Sequence, residues 1–244
     1  MSLSLNVIAR PEMRRVGQGS ARHNYIGHMT TEGYNTSMNI IVFGATGHVG
    51  SLVVEKLLAD GHNVSAFTHG THHFTENTRL RIISGDIHKP EDIEKALNDN
   101  EAVISCLGSW HTPTKDILTA AMTSIVPIAE KHGIKRVISL TGSAACAPGD
   151  QLSIIDKLNR SMLSLIAPKI LIDGEAHIRL LAESTLDWKV IRSPVMTNKD
   201  DAKYRLDMNS PSPLATIPRA AVVAALVDSL EETRFISAAP YIHQ

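Results

Sequence analysis

The stretch NIIVFGATGHVG, residues 39–50, constrains the fold more than any other part of the chain. Four apolar residues, Ile40 to Phe43, run directly into three glycines spaced three apart, Gly44, Gly47 and Gly50. The amphipathic segment VVEKLLAD follows at once. Strand, glycine turn and helix in this order is the context that gives a glycine motif physical meaning. Gly44 lets the chain leave the strand sharply, and Gly47 removes a side chain where a phosphate must approach the backbone. Gly50 allows the helix to pack close to the sheet, and that helix, read as 48–59, directs free N–H groups and the positive end of its dipole at the ligand. The spacing G-x-x-G-x-x-G is one residue wider than the commonest dinucleotide-binding pattern.

The rest of the chain repeats this alternation. Short β-branched runs fall at 39–43, 63–67, 80–84, 102–106, 135–140 and 188–192, and helical spacing at 48–59, 90–98, 114–132 and 173–184. Alternating strands and helices give right-handed βαβ units and a parallel sheet. The expected architecture is α/β, a Rossmann-type doubly wound parallel sheet flanked by helices, in a single domain over 38–244 with a small C-terminal substrate region. Helix punctuation agrees: Pro90 precedes Glu91 and Asp92 in a first turn, and Gly61 and Gly133 sit where left-handed caps belong. SIIDKLNRSMLSLIAPKI reads as a helix broken at Pro168. Residues 195–216 read as loop with a short strand at 203–208, and a helix follows from Pro218.

Composition narrows the function classes. A net charge of −1 and 4% aromatic residues give no basic, base-stacking surface for nucleic acid. No apolar run is long enough to span a bilayer. Two cysteines, Cys106 and Cys146, make no disulfide framework, so a reducing, cytoplasmic setting is expected. Both read as small buried hydrophobes near one sheet edge. The cluster His69, His72, His73 suggests a metal site, but it has neither a cysteine partner nor a carboxylate at helical spacing; a loop without metal is the reading. Residues 1–37 hold four arginines and two acids without apolar periodicity. They read as a disordered leader outside the fold, with an organelle-targeting segment or a translation start upstream of Met38 as the alternatives.

The cofactor is read from the end of the second strand. There, Thr68-His69-Gly70 stands where an acid would pair with the ribose 2′-hydroxyl of NAD. With no acid and several donors nearby, NADP(H) is preferred over NAD(H).

The blocks MNIIVFGATGHVGSLVVEKLLADGHNVSAFTHG, ISGDIHKPEDIEKAL, AVISCLGS, HGIKRVISLTGSA and ESTLDWKVIRSP occur in one order and spacing. Together they resemble the atypical short-chain dehydrogenase/reductases of the NAD(P)H-binding kind, over about residues 38–238. Within that group the chain is most similar to the biliverdin IXβ/flavin reductase type, with NmrA-like regulators as cousins. The resemblance implies that Gly44, Thr46, Gly47, His48, Val49 and Gly50 cradle a pyrophosphate and that Thr68 and His69 flank the adenosine ribose. It implies that Asp86 and Ile87 border the adenine and that Cys106, Leu107 and Gly108 line the nicotinamide side. Thr141 and Ser143 would sit near the nicotinamide, and Pro194 would close over it.

The departure from the family is equally informative. Active short-chain dehydrogenases use a Tyr-x-x-x-Lys pair, and none of Tyr25, Tyr34, Tyr204 or Tyr241 begins one after the fifth strand. Alcohol dehydrogenation and epimerase chemistry are therefore not expected. Ser143, as hydrogen-bond donor, and His177, as a group titrating near neutrality, are the candidate catalytic side chains; a histidine exposed on a helix surface and a serine bonded to its own backbone are the plain alternatives. Two functions follow: an NADPH-dependent reductase of a small planar acceptor such as a flavin or quinone, or a catalytically silent redox sensor of the NmrA-like kind. The expected assembly is a monomer or homodimer.

Overall fold

The computed structural model describes residues 37–110 and 112–244. The leader expected over 1–37 lies outside the described residues except for Ser37. Ten strands and six helices are assigned among the described residues. The parallel strands are β1 (Asn39–Phe43), β2 (Asn63–Thr68), β3 (Leu80–Ser84), β4 (Ala102–Ser105), β5 (Arg136–Gly142) and β6 (Asp187–Ser193). Their order across the sheet is β3-β2-β1-β4-β5-β6, followed by β10 (Tyr241–His243) and an antiparallel edge strand, β8 (Arg205–Asp207). The chain thus builds one half outward from β1, then crosses back to β4 and builds the other.

Helices cover both faces because the strands at the centre of the sheet, β1 above all, are apolar on both. In β1, Ile40 and Val42 enter one core with Val53, Val54 and Leu57 of α1 (Gly50–Ala59) and Val222 and Leu226 of α6 (Arg219–Asp228). Ile41 and Phe43 point the other way, against Ile93 of α2 (Pro90–Leu97), Met122 and Ile125 of α3 (Ile117–His132) and Ile178 of α5 (Pro168–Ala182). That period-2 split, with no polar face, is what a doubly covered parallel sheet requires. Each such fully buried aliphatic side chain contributes roughly 1.5–3 kcal/mol.

Local signals set most boundaries. Pro90 opens α2 with Glu91 and Asp92 in its first turn. Gly61 and Gly133 adopt φ of +93° and +74° after α1 and α3. Pro168 divides α4 (Ile154–Ile166) from α5, since proline has no N–H to continue α4 but suits a first turn. Three expectations need correction. Helix α1 starts at Gly50 rather than 48, because the turn itself occupies His48 and Val49. Helix α5 starts at Pro168, not 173. The segment 195–216 contains β7 (Val195–Thr197), which pairs in parallel with β9 (Thr216–Pro218) as a separate two-stranded sheet.

Candidate functional site

The strand order reverses between β1 and β4, and the carboxyl ends of these two strands open side by side. In open α/β sheets ligands bind at this position. The turn after β1 is fixed by contact with the turn after β4. Gly44 has φ of +73°, and a Cβ there would lie 2.9 Å from the backbone carbonyl carbon and oxygen of Cys106. The Cys106 amide donates to the Phe43 carbonyl at 2.9 Å, holding the two turns in register. Gly50 is more tightly constrained still: a Cβ would sit 2.1 Å from the Gly44 carbonyl oxygen. Only a glycine lets the first turn of α1 lie against the strand exit.

Above that contact, Thr46, Gly47 and His48 are exposed, while Val49 and Gly50 are buried. The Gly47 amide bonds the Gly44 carbonyl at 3.0 Å, closing the turn. No side chain caps the N-terminus of α1, and its first turn carries no acid. The result is an exposed backbone concavity facing an uncapped, electropositive helix end, a fit for an anionic pyrophosphate.

Along the β2 and β3 ends, Thr68 is buried and its hydroxyl finds no partner among the described residues. His69 is exposed, with Nδ1 3.4 Å from the Gly85 carbonyl. Asp86 accepts the His88 amide at 3.0 Å, and that bond first, then the charges of His88 and His69, holds its carboxyl below the usual range. Ile87 is buried beside it, in the core on the α2 and α3 side.

On the other half, Cys106 and Leu107 are half-buried and Gly108 is exposed. The Cys106 thiol packs against the core, and burial pushes its pKa up to about 12. The loop continues to Ser109, which is tied down by a residue that sequence reasoning missed. Asp173, on α5 and almost fully buried, accepts from the Ser109 hydroxyl, from the Leu118 and Thr119 amides at 3.2 and 2.8 Å, and from the Thr119 hydroxyl at 2.7 Å. It supplies the N-terminal cap that α3 lacks in its own sequence and anchors the turn after β4.

Gly174 was likewise missed. A Cβ there would meet the Thr141 hydroxyl at 2.8 Å, so this glycine seats α5 directly on β5. Thr141 is buried as a consequence. Ser143 is half-buried; its amide donates to the Ser193 carbonyl at 2.8 Å, and its hydroxyl makes no internal hydrogen bond among the described residues. Pro194, half-buried, follows the end of β6.

His177 departs from both readings made of it. It is not on the helix surface but fully buried between α5 and β5, with Nε2 3.3 Å from the Ser139 hydroxyl. Burial lowers its pKa to about 4, against weaker raising effects of the Gly174 backbone and the Asp173 carboxylate. A neutral imidazole with no exposed surface does not reach an acceptor at the open edge, so it does not serve as the proton donor. Among the described residues, no group of three or more His, Cys, Asp or Glu side chains is arranged to hold a metal, and no helix is long and apolar enough to cross a membrane.

Comparison with known proteins agrees with this geometry. The family model described as NAD(P)H-binding matches residues 44–233, from the first glycine of the turn to past α6. Among solved structures, the chain is similar to a wide-type short-chain dehydrogenase/reductase from Veillonella parvula in complex with NADP. The TM-score is 0.70 at 21% identity, over 86% of this chain and 95% of that one. It is similar to ChuY, an anaerobillin reductase from Escherichia coli O157:H7, with a TM-score of 0.66 at 18% identity over 84% and 96% of the two chains. An oxidoreductase from Lactococcus lactis gives 0.68 at 19% identity, over 85% and 91%. At these identities the likeness is one of fold.

Proposed function

This chain belongs to the NAD(P)H-binding family, and we propose that it is an NADPH-dependent reductase that passes a hydride to a small planar acceptor of flavin or quinone type. The observation that carries the proposal is the Gly44–Gly50 contact, where a Cβ on Gly50 would fall 2.1 Å from the Gly44 carbonyl oxygen and an uncapped helix end lies beneath an exposed turn.

The residues divide the work along the sheet edge. The turn from Gly44 to Gly50 holds the pyrophosphate through backbone amides. Thr68 offers an unpartnered buried hydroxyl at the ribose, and His69, exposed beside it, takes the place of the acid that favours NAD. Asp86 and Ile87 border the adenine. Cys106, Leu107 and Gly108 support the nicotinamide end, held in place through Ser109 and Asp173. Bound there, a nicotinamide cofactor supplies the hydride. Ser143 presents a hydroxyl free to donate a hydrogen bond to an acceptor oxygen or ring nitrogen, which favours the reduced, more electron-rich product. Pro194 borders the same opening. The accompanying proton comes from water, since the sequence has no Tyr-x-x-x-Lys pair and His177 is buried away from the opening.

That same shortage favours a second reading, a dinucleotide-binding sensor without turnover. A single assay separates the two: NADPH oxidation at 340 nm with FMN, a benzoquinone and dichlorophenol-indophenol as acceptors. The reductase reading predicts turnover above the protein-free rate with at least one acceptor, slowed by Ser143→Ala. Tight NADPH binding with no turnover across the panel overturns it in favour of the sensor.

A further inference from the structure

We infer that the outward face of α4 is a homodimer interface, with a second copy of this chain as its occupant. Helix α4 is amphipathic, yet it sits the wrong way round for a helix of a lone domain. Arg160 pairs with Glu175 of α5, its Nη2 3.0 Å from Oε2, and Asp156 accepts from the Ser210 hydroxyl. These polar residues hold the helix to the body. On the opposite side, Ile154, Leu158, Met162, Leu165 and Ile166 all face solvent, Ile154 and Leu165 with more than four-fifths of their surface exposed.

The spacing 154, 158, 162, 165 follows the three-and-four repeat of one helical stripe. An amphipathic helix normally turns that stripe into its own core. Here none of the helix side chains that are described is buried, while its N-terminus carries a full capping box between Ser153 and Asp156. The helix is therefore locally well specified, and its apolar face has no partner among the described residues.

The size of the stripe identifies the partner. The five side chains expose on the order of 700 Å², above the patch a lone domain tolerates and close to the roughly 800 Å² per partner of a standard interface. A two-fold axis through the middle of α4 lays the helix antiparallel on its copy. Leu158 and Met162 then meet across the axis, and Ile154 of one copy lies over Leu165 of the other. Such an isologous contact closes on itself and covers both stripes at once. Ser161 and Ser164 flank the stripe with small side chains, which permits close approach, and the Ser164 hydroxyl is already satisfied by the Ser161 carbonyl at 2.6 Å. The charged groups Asp156 and Arg160 lie on the body side, so the pairing opposes no like charges. A lipid surface fits less well, because among the described residues Lys157 and Lys169 alone stand nearby as unpaired cations, short of the strongly basic face that membrane-lying helices carry.

Sedimentation velocity on the full chain and on Leu158→Glu/Leu165→Glu, from 1 to 50 µM, tests this independently of any cofactor. The full chain is expected to sediment as a dimer and the double variant as a monomer. Far-UV circular dichroism should be unchanged, because both replaced side chains are exposed in the monomer, and the urea midpoint should rise with protein concentration for the full chain but not for the variant. A full chain that stays monomeric at 50 µM, or a variant that still dimerises, overturns the inference. So does a monomer that co-sediments with 7:3 phosphatidylcholine/phosphatidylserine vesicles through Leu158 and Leu165.

Discussion

His177 makes the stability of this protein depend on pH, and comparison with a His177 variant separates its share from that of the other histidines. In the unfolded chain its imidazole takes a proton near 6.5, whereas in the fold burial lowers that to about 4. Between those values the unfolded state binds more protons, so stability rises with pH. The contribution is complete above pH 6.5 and is lost as pH falls towards 4. The full span of about 2.5 pH units corresponds to roughly 3 kcal/mol, of which about 2 kcal/mol is lost between pH 7 and pH 5. The carboxylates held low in the fold, such as Glu94, Glu130 and Asp156, take a proton at 4.5 or below in the unfolded chain and add little above pH 5. The perturbation is His177→Gln, which keeps a hydrogen-bonding group near Ser139 but removes the charge. The assay is urea unfolding of both proteins at pH 7 and pH 5, with equal slopes confirming the same unfolded surface. The native chain should lose about 2 kcal/mol more than the variant over this interval. Equal losses, or a native imidazole titrating near 6.5 by NMR, would refute the placement of His177 in a dry interior.

Other perturbations probe the supports of the site. Asp173→Ala removes a buried carboxylate with four donors and should cost roughly 3 kcal/mol in urea unfolding, with weakened NADPH binding, because the turn after β4 and the start of α3 lose their shared anchor. A loss below about 1 kcal/mol would show that the cap is dispensable. Cys106, with its thiol protonated up to about pH 12, should resist iodoacetamide at pH 8 in the native protein and react readily in urea. Rapid native labelling at Cys106, located by peptide mass analysis, would contradict its packing.

How much of this was legible beforehand depended on whether the cause was local. The β1–turn–α1 unit was readable because its glycines, apolar run and amphipathic helix all lie within about twenty residues, and the Pro168 break was readable because proline acts on its own neighbours. Strands β7, β9 and β10 were not. Each is three residues long and owes its existence to pairing partners distant in sequence, which periodicity does not register. Asp173 was missed for a similar reason, since its role lies in donors more than fifty residues away. Gly174 did leave a signal: a glycine inside a helical pattern marks close packing. His177 left one too, four residues before Leu181 and three after Gly174, on the face that both bury. The exposed-histidine reading gave more weight to side-chain polarity than to that spacing.

The central claim is that the turn from Gly44 to Gly50 holds a nicotinamide dinucleotide, and a paired fluorescence titration of the native chain and Gly50→Ala with NADPH and NADH tests it most directly. The native chain should bind NADPH saturably and more tightly than NADH. The Gly50→Ala protein, shown to be folded by circular dichroism, should lose at least tenfold in affinity for both, because its methyl group displaces α1 from the Gly44 carbonyl. Equal affinity in a folded Gly50→Ala protein, or no saturable binding by the native chain, would contradict the account.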